Sequence, residues 1–347
     1  MTVDWKNTNR TDVWKVEMID PINLESSRGY LTDIEEINIT YGYYTETRSG
    51  AIVKTLGDGG YIESSQLRII HEVPEWSYQE VLFTGFVTGK SPIWYQGKCE
   101  VAYTLSSDLY GLKVDLHRTD FTCGAGSTAI GSASLLMSYC SRPHKLITGY
   151  TDYIFSAAKV FTIGENLLST VSELCDLANC RYSVDEYGYV TIRAYVSPSH
   201  KTPSVVLDEN DPRSMLIQNQ IQETSNESEL PGEVLVTSGS GDTKISGWAM
   251  VPSGSLLHPS RRGYNYVELQ EVSELSPNTA EAAALKAKTL LQNDTVIREW
   301  SVNSLYFPTR DGDVFRYIGA GGDRNVLLKS VDVNCMQGTQ KMTLKEV

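Results

Sequence analysis

Thr162-Ile163-Gly164-Glu165-Asn166-Leu167-Leu168-Ser169-Thr170-Val171-Ser172-Glu173-Leu174-Cys175-Asp176-Leu177-Ala178-Asn179, running on through Cys180 to Tyr195, is the most regular stretch of this chain. Ile163, Leu167, Val171, Leu174 and Ala178 recur at intervals of four, four, three and four, which places them on one stripe of a helix. Leu168 and Cys175 widen the stripe, and Glu165, Asn166, Ser169, Thr170, Glu173 and Asp176 take the opposite face. Thr162 and Glu165 have the spacing of a capping box, and Asn179 suits a left-handed stop. Tyr182 to Val184 and Tyr189 to Tyr195 then alternate around Asp185-Glu186-Tyr187-Gly188, the pattern of a hairpin. The expected unit is a helix packed on a strand pair. Leu174→Asp is expected to prevent folding or assembly, and Glu173→Ala to be nearly silent.

Outward from this unit the chain is strand-rich. It has 347 residues, enough for two or three domains, and 20 tyrosines tilt its composition toward sheet. The segment up to about Asp115 alternates repeatedly, in Val13–Ile19, Ile34–Thr40, Gln66–Val73, Glu80–Val87 and Gly97–Leu105, with a turn at Gly57-Asp58-Gly59-Gly60. Short strands with Gly turns between them predict a sandwich or barrel. Ser127 is expected to cap a short helix through Leu135, Leu136 and Met137, and Pro143 leads on toward the central helix. After Pro198, Asp208, Glu209, Asp211, Glu223, Glu227, Glu229 and Glu233 stand against the single base Arg213, which marks a solvated segment. Strands follow at Glu233–Thr237 and Tyr264–Val272. Ser276-Pro277 then starts a helix lined by Ala280, Ala283, Ala284, Ala287, Leu290 and Leu291. Val296–Leu305, a turn at Asp311-Gly312-Asp313, and a hairpin of Val326–Asn334 with Lys341–Lys345 through Gln337-Gly338 complete the pattern of a second barrel with one docked helix.

The composition excludes several functions. A net charge of −13 with no basic run argues against wrapping nucleic acid, since phosphate neutralisation needs Lys and Arg clusters. No apolar run approaches the roughly 18 residues of a membrane helix, and Met1-Thr2-Val3-Asp4-Trp5 lacks the basic start and apolar core of a signal peptide. Cys99, Cys123, Cys140, Cys175, Cys180 and Cys335 show no Cys-x-x-Cys spacing, so free buried thiols are expected rather than zinc.

The motifs that invite chemistry each lack a part. Gly124-Ala125-Gly126-Ser127-Thr128 precedes a helix but has no Lys before its Ser or Thr, so it reads as a helix-entry turn. Gly319-Ala320-Gly321-Gly322-Asp323 leads into a strand and reads as a hairpin loop. Gly239-Ser240-Gly241 lacks the strand-to-helix elbow of a nucleophilic serine. His71, His117, His144, His200 and His258 form no metal-binding spacing. Glu35-Glu36, Asp208-Glu209 and Asp311 with Asp313 are available as carboxylate pairs for glycoside hydrolysis, but acids adjacent in sequence are expected to face solvent. Tyr41, Tyr43, Tyr44, Tyr264 and Tyr266 have the character to stack sugars, and half-buried sheet positions are the plainer expectation. No catalytic, cofactor-binding or metal site is expected.

In order and pattern the chain resembles the tail-tip or baseplate hub proteins of tailed bacteriophages, the minor tail proteins. Three places carry the resemblance: the loop and helix at Gly124–Met137; Thr162–Gly188; and the closing strand, Ala-rich helix, Gly312-Asp313-Val314 strand entry and hairpin ending in Met342-Thr343-Leu344. The resemblance implies a mainly β fold with an α+β part: two tail-tube-like β-barrels and a small α/β helix-hairpin domain. The implied boundaries are 1–118 for the first barrel, 119–198 for the α/β domain and 199–347 for the second barrel, with a return of residues about 199–245 to the first barrel as the alternative. It also implies a trimer whose six barrels form a pseudo-sixfold ring. The implied partners are the distal tail or tail tube protein, the end of the tape-measure protein, and a central fibre or spike. DNA would be a transient passenger, and the setting would be a virion tail assembled in the host bacterial cytoplasm. As the chain stops at Val347 after the second barrel, a bare structural hub without enzyme activity is expected. The rival expectations are a cell-wall hydrolase and a carbohydrate-binding receptor module.

Overall fold

The computed structural model describes residues 5–347 except 7–9, 21–22, 44, 46, 57–65, 96–97, 140–143, 148, 218–220, 226–229, 240–243, 273–274, 276–278, 295–297 and 320–321. Several expected features lie outside the described residues: the turn at Gly57–Gly60, Tyr44, Cys140, Pro143, the helix start at Ser276-Pro277, and parts of the Gly239-Ser240-Gly241 and Gly319–Asp323 loops.

The first part holds seven strands, β1 (Val13–Ile19), β2 (Ser27–Tyr30), β3 (Ile34–Gly42), β4 (Ser49–Leu56), β5 (Gln66–Val73), β6 (Tyr78–Tyr95) and β7 (Lys98–Ser106). The middle part contains α1 (Leu109–Val114), β8 (Phe121–Cys123), α2 (Ala129–Tyr139), β9 (His144–Leu146), β10 (Lys159–Phe161), α3 (Leu167–Leu177), β11 (Cys180–Val184) and β12 (Val190–Ala194). The last part begins with β13 (Val205–Asp208) and β14 (Gln222–Ser225). It continues through β15 (Glu233–Ser238), β16 (Ile245–Met250), α4 (Pro259–Arg262), β17 (Val267–Val272) and α5 (Ala280–Asp294). It closes with β18 (Arg298–Leu305), β19 (Val314–Gly319), β20 (Gly322–Asn334) and β21 (Thr339–Glu346).

The protein is mainly β with an α+β part, as expected. Apart from β15, β16 and β17, the strands of the two expected barrels are joined in one 13-stranded sheet, in the order β14-β18-β21-β20-β3-β4-β7-β6-β5-β1-β2, with β19 and β13 branching from β20. The seam is the antiparallel pair β3–β20, in register from Gly42↔Ser330 to Asn38↔Asn334. A single core lies beneath it, with Val16, Ile39, Val53, Leu67 and Leu105 from the first part and Leu207, Trp300, Val302, Phe315 and Leu328 from the last. Residues 205–208 and 222–225 pair with the last part, on β19 and β18.

The α/β part has its own core, in which α2, α3 and the β11–β12 hairpin bring together Ile130, Met137, Leu167, Val171, Leu174, Cys175, Val190 and Ile192. The stripe read from the sequence is the buried face of α3, and Asn179 ends the helix region at φ 48°. The start of the helix differs from the expectation. Asn166, not Thr162, is the N-cap, its side chain accepting from the Ser169 N–H at 2.7 Å. Thr162 and Glu165 do meet, Oγ1 to Oε1 at 2.6 Å, but in the turn ahead of the helix. The reason is a distant partner: His117 N donates to Glu165 O, Gly164 N to His117 O and Leu167 N to Asp115 O. With their backbone engaged by residues 115–117, residues 162–166 cannot wind into the helix, and Ile163 is left 63% exposed. Similarly, α2 is capped by Thr128 and Asp152 rather than Ser127: Thr128 Oγ1 accepts from Gly131 N and Asp152 Oδ1 from Ile130 N. The hairpin turn is as expected, with Asp185 Oδ1 accepting from Tyr187 N and Tyr189 N.

The Ala-rich helix α5 packs on a separate three-stranded sheet, β16-β15-β17, and not on the large sheet. Ala283, Ala287 and Leu291 bury against Val234 and Val236. The approach is close enough that a Cβ on Gly247 of β16 would sit 2.2 Å from Ala284 N and 2.6 Å from Ala280 O. Gly247→Val should therefore push the helix off its sheet, lowering stability by about 1–3 kcal/mol in urea titration. An unchanged midpoint would contradict this packing.

His117, buried between α3 and two phenylalanines, gives a pH test. Its Nε2 lies 2.8 Å from Thr170 Oγ1, and its ring stacks near Phe121 and Phe161. Burial lowers its pKa below the ordinary 6.5, against the pull of Glu165 and Asp115. The unfolded chain thus binds a proton that the folded chain refuses. Stability from this group is complete above pH 6.5 and declines as pH falls through the folded value. Between pH 7.5 and 5 the wild type should lose more stability than His117→Phe, and parallel pH profiles would refute this.

Candidate functional site: the 310–313 junction and the exposed faces

The carboxylates that invited chemistry are engaged elsewhere. Glu36 pairs with Lys54, while Glu35 is exposed. Asp208 Oδ1 accepts from Asn210 N at 2.8 Å, and Glu209 accepts from the Tyr317 hydroxyl. Asp311 and Asp313 do not face solvent as expected; they form the junction between the three parts of the chain. The Asp311 carboxylate is 2.8 Å from Arg181 Nη2 of β11, and both side chains are largely buried, 16% and 10% exposed. Asp313 Oδ2 accepts the Arg310 N–H at 2.8 Å, and burial raises its pKa despite that bond.

The flanking residues complete the junction. Arg310 Nη2 reaches Glu80 Oε1 on β6 at 2.9 Å, and Lys201 Nζ donates to Gly312 O at 2.7 Å. Gly312 has φ 82°, and a Cβ there would lie 2.6 Å from Tyr43 Cε2, so both the backbone and the close approach require glycine. Four consecutive residues thereby tie the first part, the α/β part and the last part together. The Gly312-Asp313-Val314 strand entry is thus part of this junction.

The histidines are dispersed. His71 is buried on β5 with Nε2 2.7 Å from Asp12 Oδ1, stacked on Trp14, while His144 contacts Ser134 and His258 contacts Ser260. Cys99, Cys123, Cys175, Cys180 and Cys335 are free and buried. Tyr41 is a buried sheet residue donating to Leu82 O at 2.6 Å, Tyr43 is buried in the turn after β3, and Tyr264 and Tyr266 are exposed beside Arg262.

Two surfaces are open to partners. One is a groove of about 620 Å3 over the β3–β20 seam, walled by Asn38, Thr40, Asn303, Asp332, Gln337 and Lys341. The other is the face of the small sheet turned away from α5, where Leu235, Trp248 and Leu269 stand in one cross-strand row. Sequence reading missed both: the groove is formed by strands distant in the chain, and which face of β15–β17 stays open depends on where α5 docks.

No family model matches the chain, and no curated protein matches its sequence. Solved structures do. It is similar to a tail protein from Neisseria meningitidis MC58, at 12% identity and TM-score 0.73 over 96% of both chains. It is also similar to the 43 kDa tail protein of prophage MuSo2 from Shewanella oneidensis, at 13% identity and TM-score 0.68 over 96% of this chain and 98% of that one. The chain has the fold of these tail proteins. A third of these, gp18 from Listeria monocytogenes EGD-e, matches at 10% identity and TM-score 0.62 over 95% of this chain and 94% of its own. The likeness in fold thus covers 95–96% of the chain in all three cases.

Proposed function

We propose that this protein is a structural, non-enzymatic hub of a bacteriophage tail tip or baseplate, located in the virion tail. The observation that carries the reading is the end-to-end match of fold, over 96% of both chains, to a tail protein. In this reading three copies form a ring in which the two sheet-rich parts of each copy alternate, continuing the tail tube above and presenting threefold symmetry to a central fibre or spike below. The distal tail or tube protein and the end of the tape-measure protein are its other neighbours. DNA passes along the axis, and a net charge of −13 suits a wall to which DNA does not adhere. The junction residues Arg310–Asp313 serve as internal bracing of the subunit.

Light scattering and electron microscopy of the protein, alone and with its tail neighbours, test this. A trimeric or assembly-dependent ring with a hollow axis is expected, and a compact monomer under every condition would sink the reading. A zymogram on host cell walls tests the rival: a clearing band lost on mutating Glu35-Glu36 or Asp208-Glu209 would replace the hub with a cell-wall hydrolase.

A further inference from the structure

The α/β side of the junction concentrates positive charge. Arg48 Nη1 and Arg181 Nη2 both donate to one carbonyl oxygen, that of Tyr43. Their guanidinium groups lie over aromatic rings, Arg48 4.9 Å from the Tyr182 centroid and Arg181 3.3 Å from that of Tyr43. The Nε atoms of both are buried and have no hydrogen-bond partner. Arg193 stands directly opposite Arg181 in the β11–β12 register, a like-charge pair that sheets ordinarily avoid. Lys201, held on Gly312 O, lies close to Arg193 and Arg181.

The acids nearby are Asp311, Asp313 and Asp176. Asp311 is paired with Arg181, Asp313 is bonded to Arg310 N, and burial raises the pKa of Asp176 against the pull of Lys286 and Arg48. Burial, with Arg193 and Arg181 close by, lowers the pKa of Lys201. Burial also lowers that of Arg181, with Arg48 and Arg193 adding to the effect against Tyr43 and Asp311. In both cases burial leads, and the neighbouring guanidinium groups add to it. Arg193 is exposed, so the cluster reaches solvent.

We infer that Arg48, Arg181, Arg193 and Lys201 form an oxyanion-binding site, taking a tetrahedral anion such as phosphate or the carboxylate of a neighbouring chain. Arg48, with its unused Nε, and the exposed Arg193 offer guanidinium forks of the kind oxyanions accept, while Arg181, whose Nη2 hydrogens go to Tyr43 O and Asp311, adds positive charge beside them. An anion there would join the α/β part to the junction and relieve the repulsion across the hairpin.

The test is thermal unfolding of the full chain in sodium phosphate against sodium chloride at equal ionic strength. Binding only to the folded state should raise Tm saturably, by on the order of 2 °C at tenfold over Kd. The rise should vanish in Arg48→Gln and in the exposed-site variant Arg193→Gln, and persist in Arg316→Gln, which lies in a surface pair with Asp323. Only the anion-dependent increment is compared, so a variant of lower starting Tm still reports, and Arg193→Gln reports if Arg48→Gln does not fold. Sodium acetate producing the same saturable rise assigns the site to carboxylates, and phosphate alone doing so assigns it to a tetrahedral anion. No rise in the wild type overturns the inference. So does an equal rise in all variants, because phosphate stabilises folded proteins by exclusion without any site.

Discussion

Leu174→Asp is expected to abolish cooperative folding of the α/β part. Leu174 is fully buried on α3, in the cluster that includes Val171, Cys175, Val190 and Ile192. Truncation to Ala removes apolar burial and leaves a cavity, at a cost of about 2–5 kcal/mol. Asp adds a carboxylate with no partner in an apolar core, where a charge is far more costly than a cavity. Since domains are stable by only about 5–15 kcal/mol, little or no stability remains. Near-UV circular dichroism and urea titration measure this, with Leu174→Ala as the graded case. A Leu174→Asp protein that unfolds within about 1 kcal/mol of wild type would mean that α3 does not pack as described. Glu173→Ala is the control. Glu173 lies on the other face and accepts from Lys159 Nζ at 2.5 Å, so its removal should cost no more than a surface ion pair, roughly 0.2–1 kcal/mol.

Arg181→Ala is expected to be the most damaging change at the junction. It strips the guanidinium from Asp311 and from Tyr43 O, and leaves Asp311 charged in a largely buried place. Breaking one side of such a pair costs about 3–5 kcal/mol, more than the intact pair is worth, because the remaining charge stays desolvated. Adding Asp311→Asn should recover part of the loss, and the double-mutant cycle in urea, run in chloride buffer, measures the coupling. Coupling below about 0.5 kcal/mol would mean that the pair does not brace the α/β part against the last part.

The central helix and hairpin were legible because their signals are local. A stripe at helical spacing, Asn179 as a stop and an Asp-x-x-Gly turn all act within a few residues. The same holds for the Ala-rich face of α5, although the sequence did not indicate which sheet it covers. That was decided by Gly247, whose missing side chain admits the helix backbone to β16 rather than to the large sheet. The helix start was misread because residues 162–166 are bound to 115–117, and no local propensity records that competitor.

By itself the sequence determined the class of the protein: strands with turns between them, one amphipathic helix packed on a hairpin, an acidic surface, and no spacing of residues that supports catalysis. Only the tertiary structure decided that the first and last parts share one sheet and one core through β3 and β20. Pairing between Asn38 and Asn334 leaves no periodic trace, since hydrogen-bonded strand backbones look alike whichever edge they meet. Only the tertiary structure, likewise, placed Arg310–Asp313 where three parts converge. Acids that read as solvated turn residues became buried partners of Arg181 and of the Arg310 backbone, because burial and charge pairing are properties of the neighbours that folding supplies.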